Sequence, residues 1–228
     1  MRALVLGDEE LRPSKLVCLI INYHAHSEEL KHALTDMPLW FLKPPQSIIG
    51  EGEQVVLPEM SRNVHHEVEL AAIIGKTCKD IPVDQALDYV LGYTILLDIT
   101  ARDLQDKYIA EGRPWSIAKG FDTFAPMKLD IVPREQIHDP DNLEISLRIN
   151  GEVRQASSTK NMIFSVAEQI SAISKITTLE RGDVIATGTP EGVGPIRDGD
   201  ELVATIESIG TLRVTVVRAG SGNPSILQ

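Results

Sequence analysis

The sequence predicts an α+β fold that is mainly β, on three observations. Apolar runs with β-branched residues recur along the chain, one long stretch alternates strictly between apolar and polar residues, and helical patterns are confined to short segments between them. Lys15 to Ile21 is the first of these runs and reads as a strand buried on both faces, ending at Asn22-Tyr23. Tyr23 to Leu34 has helix-forming composition, with Leu30 and Leu34 one turn apart. That helix puts His26 and Glu29 at i, i+3, where they either hydrogen-bond or stand as two polar residues on an exposed face. The apolar stripe is short for a helix, so the segment from Tyr23 to Pro38 is expected to order as a lid when ligand binds. Leu39-Trp40-Phe41-Leu42 reads as a short bulky strand stopped by Lys43-Pro44-Pro45, and Gly50 and Gly52 mark a loop towards Val55-Val56-Leu57.

His65-His66-Glu67-Val68-Glu69-Leu70 runs straight into Ala71-Ala72-Ile73-Ile74. Side chains alternate faces in a strand, so Glu67 and Glu69 stand side by side while Val68 and Leu70 point the other way. Two such carboxylates are either the solvated face of a half-buried antiparallel strand or hard oxygen ligands for a divalent cation. Gly75 breaks the run, and Pro82 to Val90 reads as a short helix. Gly92 to Thr100 has the composition of a core strand, yet carries Asp98 near its end. A buried carboxylate costs several kcal/mol unless it is paired, so Asp98 is either a partner for backbone N–H groups of the next helix or a ligand. Thr100-Ala101-Arg102-Asp103 matches a capping box with Asp in place of Glu, opening a helix to about Glu111 and placing Arg102 close behind Asp98.

Trp115 to Asp122 reads as a loop holding one lysine, Lys119, which either snorkels at the surface or meets an anionic partner. Leu143, Ile145, Leu147 and Ile149 alternate with polar residues up to Asn150-Gly151, the signature of a two-residue hairpin turn. Ile163, Val166, Ile170 and Ile173 fall at helical spacing and read as core packing. Asp183 to Thr187, Glu201 to Ile206 and Leu212 to Val217 are further strands. The glycine-rich loop Gly188 to Pro195 lacks the lysine and spacing of a nucleotide-binding P-loop and reads as a rigid turn bringing backbone close to something. Ala219 to Pro224 reads as a loose tail. Neither an internal repeat nor a linker divides the chain, so one domain is expected.

Composition narrows the function classes. The chain has 228 residues, 43% hydrophobic and 24% charged, and its apolar runs fall short of the ~20 residues of a membrane helix. The N-terminus reaches Asp8-Glu9-Glu10 too soon for a secretory signal, which makes a cytoplasmic location the expectation. A net charge of -11 argues against nucleic acid as a partner. Cys18 and Cys78 lie far apart and give neither a zinc site nor a disulfide framework.

Taken in order, Asn22-Tyr23 with His26 and Glu29, Phe41-Leu42-Lys43-Pro44, His65 to Leu70, Asp98 to Asp103, Ala118-Lys119-Gly120-Phe121 and Gly188 to Gly194 resemble the fumarylacetoacetate hydrolase family. The acylpyruvase and oxaloacetate decarboxylase branch is the nearest match. The resemblance implies a mixed β-roll with peripheral helices over residues 15–217, an N-terminal extension over 1–14, a tail over 218–228, and a homodimer. It implies that Glu67, Glu69 and Asp98 bind Mg²⁺ or Mn²⁺. It further implies that His26, Glu29 and Lys119 are catalytic and that Arg102, Gln105 and Thr189 contact substrate. The activity implied is cleavage of a C–C bond in a small 2,4-dioxo acid, an acylpyruvate. Decarboxylation or tautomerisation of oxaloacetate, and hydration or isomerisation of unsaturated 2-oxo acids, are the alternatives on the same site. A non-catalytic metal-binding relative is the alternative of a different class. One position departs from the family pattern: Ile20-Ile21 stands where relatives carry Gly-Arg or Gly-Ser.

Overall fold

The computed structural model describes residues 2–30 and 35–220. Parts of the expected lid (residues 31–34) and of the tail (residues 221–228) therefore lie outside the described residues. A six-stranded sheet carries the strands in the order Val132–Pro133, Val90–Leu97, Val68–Ile74, Val184–Ala186, Leu16–Leu19 and Trp40–Lys43. All its pairings are antiparallel except that of Val184–Ala186 with Leu16–Leu19. A five-stranded sheet runs Glu152–Ser158, Glu144–Ile149, Glu201–Ile206, Gly210–Arg218 and Gln54–Leu57, with the last pair parallel. This is the mainly β, α+β architecture expected.

Why the Val68–Ile74 strand is apolar apart from Glu69, without alternation, follows from what lies on each side. Val68, Leu70, Ala72 and Ile74 face a core shared with Ile145, Leu147, Leu202 and Val214 of the five-stranded sheet. Ala71 and Ile73 face a second, smaller core with Leu16, Cys18, Leu96, Met127 and Val184. Both faces are dry, so both must be hydrophobic. The second core is closed by an N-terminal hairpin, Leu4–Leu6 paired with Glu9–Leu11, which buries Leu4 and Leu11 there. Asp183 locks the parallel pair: its carboxylate accepts from Ser14 N, Ser14 Oγ, Lys15 N and Lys15 Nζ.

Local departures from the sequence reading have physical causes. Lys43 does not stop its strand but belongs to it, paired with Leu16 and almost wholly buried. The short helix expected over Pro82 to Val90 is present, as a 3₁₀-helix over residues 83–89. Thr100 makes no capping box: Thr100–Ala101 is a strand paired with Val64 and His65, and the Arg102–Ala110 helix starts after it. Asp103 instead accepts from Ser61 Oγ and Arg62 N. Ser116–Lys119 is a helical turn inside the expected loop. Ile163 lies ahead of its helix, Val166–Ile176, because Ser165 and Glu168 form a capping box that fixes the start there. The Asn150-Gly151 hairpin is as expected, with φ of 51° and 85° at the two turn residues, the left-handed pair that matches strand twist.

Candidate active site

The site forms where two neighbouring strands leave the six-stranded sheet together. Val68–Ile74 pairs with Val90–Leu97 inside the sheet, whereas their continuations, Val64–His66 and Thr100–Ala101, pair in a separate three-stranded ribbon. Glu67 and Asp98 lie at the two switch points, tied by a 2.8 Å hydrogen bond from Asp98 N to Glu67 O. Glu69 is one step further along the strand. Ligand oxygens of Glu67, Glu69 and Asp98 all lie within 4.8 Å of one another, and all three residues are buried. Of the two alternatives for the glutamates, the solvated strand face does not hold.

Three cations reach in. Lys119 Nζ bridges Glu67 Oε2 at 2.8 Å and Asp98 Oδ2 at 2.6 Å. Lys43 Nζ donates to Asp98 Oδ1 at 2.7 Å and to Ile99 O at 3.0 Å. Arg102 pairs with Glu67 Oε1 and with Gln105 Oε1. The electrostatics follow. Burial opposes ionisation of Glu67, but Lys119 and Arg102 outweigh it and hold its carboxyl below the usual range. Burial lowers the Lys119 ammonium, yet Asp98 and Glu67 raise it further, so it stays charged. Glu69 has no ion pair of its own: burial and then the charges of Asp98 and Glu67 push its carboxyl well up, outweighing a hydrogen bond from Gly188 N at 2.8 Å and the more distant charge of Lys119.

A buried carboxylate in that state is short of positive charge, which is what a divalent cation would provide. Three carboxylates with no sulfur or imidazole form a hard oxygen donor set, so the residues present fit Mg²⁺ or Mn²⁺.

The remaining expected residues fall into two groups. His26, Arg102, Gln105, Lys119 and Glu67 line one cavity of about 160 Å³, together with Ile20, Ile21, Phe41, Ile109 and Trp115. His26 Nδ1 lies 3.0 Å from Glu29 Oε2, so the pair is hydrogen-bonded and His26 itself is buried. Glu29 is held from its other side by Gly192 N at 3.2 Å. Thr189 does not line that cavity: its hydroxyl donates to Val68 O at 2.9 Å and accepts from Gln155 Nε2 at 2.8 Å. Phe41 bears on the site through Lys119, whose Nζ sits 4.8 Å from the ring centroid, and Phe41 packs at a tilt of 57° against Trp115.

Sequence reading missed Lys43 as a member of this cluster. Its signal was the step of two from Phe41, which puts both side chains on the same face of the Trp40–Lys43 strand. The glycine-rich loop does bring backbone close. Gly188 has φ of 93°, and a Cβ there would stand 2.7 Å from Asn22 Cβ, so only glycine lets its N–H reach Glu69. Asn22 in turn is fixed by Thr187 O and by the backbone of Phe164, on which its amide both donates and accepts.

Among the described residues, no helix is long and apolar enough to cross a membrane. A family model described as fumarylacetoacetate (FAA) hydrolase C-terminal matches residues 15–217. A mitochondrial oxaloacetate tautomerase of Arabidopsis thaliana is 46% identical over 205 residues, covering 90% of this chain and 92% of that protein. The crystal structure of fumarylpyruvate hydrolase from Pseudomonas aeruginosa in complex with Mn²⁺ and pyruvate has a TM-score of 0.90 at 37% identity, covering 96% of this chain and 97% of that one. A 2-hydroxyhepta-2,4-diene-1,7-dioate isomerase from Mycobacterium marinum has a TM-score of 0.82 at 44% identity, covering 92% and 77%. These relatives are enzymes of three kinds, a tautomerase, a hydrolase and an isomerase.

Proposed function

The chain belongs to the fumarylacetoacetate hydrolase family, and from that premise we propose that it hydrolyses a C–C bond of a small acylpyruvate with Mg²⁺ or Mn²⁺ at Glu67, Glu69 and Asp98. One observation carries the reading: His26, oriented by Glu29, lines the same cavity as Glu67, Arg102 and Lys119. A site that only bound metal would have no use for an oriented base. When bound, the divalent cation supplies Lewis-acid polarisation of the carboxylate and keto oxygens of a 2-oxo acid.

The chain's own residues do the rest. With Nδ1–H donated to the Glu29 carboxylate, His26 has Nε2 left to take a proton from water. The hydroxyl adds to the C4 carbonyl, the C3–C4 bond breaks with its electron pair moving to C3 and the C2 oxygen, and C3 then receives a proton. The products are pyruvate and the carboxylic acid. The Lys119 ammonium, which lines the same cavity, offsets the negative charge that develops on the C2 side, and being buried it acts with little solvent screening. Arg102 and Gln105, which line the cavity, orient the substrate, while Ile20, Ile21, Phe41 and Trp115 keep water from its flank.

The tautomerase among the relatives favours a second reading, keto-enol exchange of oxaloacetate, which needs only the proton transfers. A panel of acylpyruvates, oxaloacetate and unsaturated 2-oxo acids, run with Mg²⁺ and with Mn²⁺, ranks these activities. Within it, His26→Ala should lower acylpyruvate hydrolysis about 10²- to 10⁴-fold, the usual contribution of a general base. Oxaloacetate decarboxylation, which needs no activated water, should fall far less. Equal losses in both reactions would mean that His26 positions substrate and does not activate water.

A further inference from the structure

Gln155 occupies a core position of the Glu152–Ser158 strand, where residues 152–154 are exposed and Gln155 is 1% exposed. A buried amide is tolerated when its hydrogen-bonding capacity is filled, and here all four bonds are made. Oε1 accepts from Val68 N at 3.1 Å and from His66 Nδ1 at 3.0 Å. Nε2 donates to Thr189 Oγ1 and to Pro190 O, both at 2.8 Å. The two backbone partners fix the amide's orientation, because Val68 N can only donate and Pro190 O can only accept. His66 therefore carries its proton on Nδ1.

These partners straddle the site. His66 and Val68 flank Glu67 in the chain, while Thr189 and Pro190 lie between Gly188, whose N–H holds Glu69, and Gly192, whose N–H holds Glu29. Thr189 Oγ1 also donates to Val68 O, so strand and loop are linked twice at this point. The loop already lies as near the Gln155 strand as backbone allows, since a Cβ at Gly192 would stand 2.2 Å from Arg154 O. A core amide serving stability alone would have no reason to bond on both sides of the acid cluster.

We propose that Gln155 is a positioning residue that fixes the spacing between the acid triad and the loop carrying the Glu29 anchor, and thereby sets the affinity for the divalent cation. This rests on the metal-site reading above. Partners that orient metal ligands are typically worth about 10- to 100-fold in metal affinity or activity.

The test uses Gln155→Met, which keeps the volume and loses all four bonds, and Gln155→Asn, which keeps the amide one methylene short. Circular dichroism first identifies which variants fold, and Gln155→Asn carries the test if Gln155→Met does not. Mn²⁺ affinity is measured by titration calorimetry, amide exchange is followed over residues 186–194, and kcat and KM are measured separately. The expected result is a Mn²⁺ Kd weakened about 10- to 100-fold, faster exchange in the loop, and a fall in kcat with KM little changed. Folded variants with the wild-type Mn²⁺ Kd and unaltered exchange would overturn the proposal and leave Gln155 a core amide. Absence of Mn²⁺ binding by the wild-type chain would remove the metal-site reading, and this inference with it.

Discussion

Lys119→Met should lower the melting temperature of the metal-free protein by about 6–20 °C and all but abolish turnover. The ammonium lies between Glu67 Oε2 and Asp98 Oδ2, and the three side chains are almost wholly buried. Removing one partner of a buried ion pair leaves uncompensated charge and costs about 3–5 kcal/mol. In a chain of this size each kcal/mol moves the midpoint by about 2–4 °C. Lys43 still meets Asp98 and Arg102 still meets Glu67, so the lower half of that range is the better expectation. Catalysis should drop by at least the ~10²–10³-fold that one buried donor to developing negative charge contributes. Thermal scans in chelator check the first part; a variant melting with the wild type would show that the bridge does not stabilise the fold.

Glu69→Ala should have the opposite sign for stability and an equally large effect on function. Its carboxyl is raised by burial and by the charges of Asp98 and Glu67, so at neutral pH its ionised form works against the fold, above its unfolded pKa. The variant in chelator should therefore melt at the wild-type temperature or above it. Cation binding should be lost, since one of three oxygen ligands is gone, and metal-dependent activity should disappear with it. Substantial activity in this variant, or in the wild type under excess chelator, would refute a metal-dependent reaction at the triad.

The contrast between these two residues explains what could and could not be read from the sequence. Period-two patterning revealed the strands, and the Asn150-Gly151 turn was legible because its chemistry is local. Glu67 and Glu69 were legible as a pair, but periodicity alone could not choose between a solvated face and a ligand pair. Only pairing with the Asp98 strand buries them and turns the choice. Asp98 itself stayed ambiguous for the same reason. Lys43 beside Pro44-Pro45 looked like a strand end, because its partner Asp98 is far along the chain. Thr100 looked like a cap because ribbon pairing of two residues leaves no periodic signal. Gln155 was silent within a hairpin strand, its four partners being supplied by two other segments. In each case the deciding contact is non-local, and local pattern carries no information about it.

The position of Val184–Ala186 bears on how the protein is made. This strand alone joins the Val68–Ile74 half of its sheet to Leu16–Leu19, which leads directly to Asn22 and the His26 helix. During synthesis the Leu16–Leu19 strand must therefore wait, unpaired on that edge, until a segment near the far end of the chain has emerged. Folding dominated by such distant pairings is slow, in the range of milliseconds to seconds for much smaller domains. Refolding followed by the fluorescence of Trp40 and Trp115 should show no faster complete phase. A nascent chain halted before residue 184 should hold all three acids and both members of the His26–Glu29 pair, yet lack the strand that joins the half of the sheet bearing the acids to the half leading to His26. The groups proposed as catalytic thus emerge early, and the strand that brings them to one site emerges late.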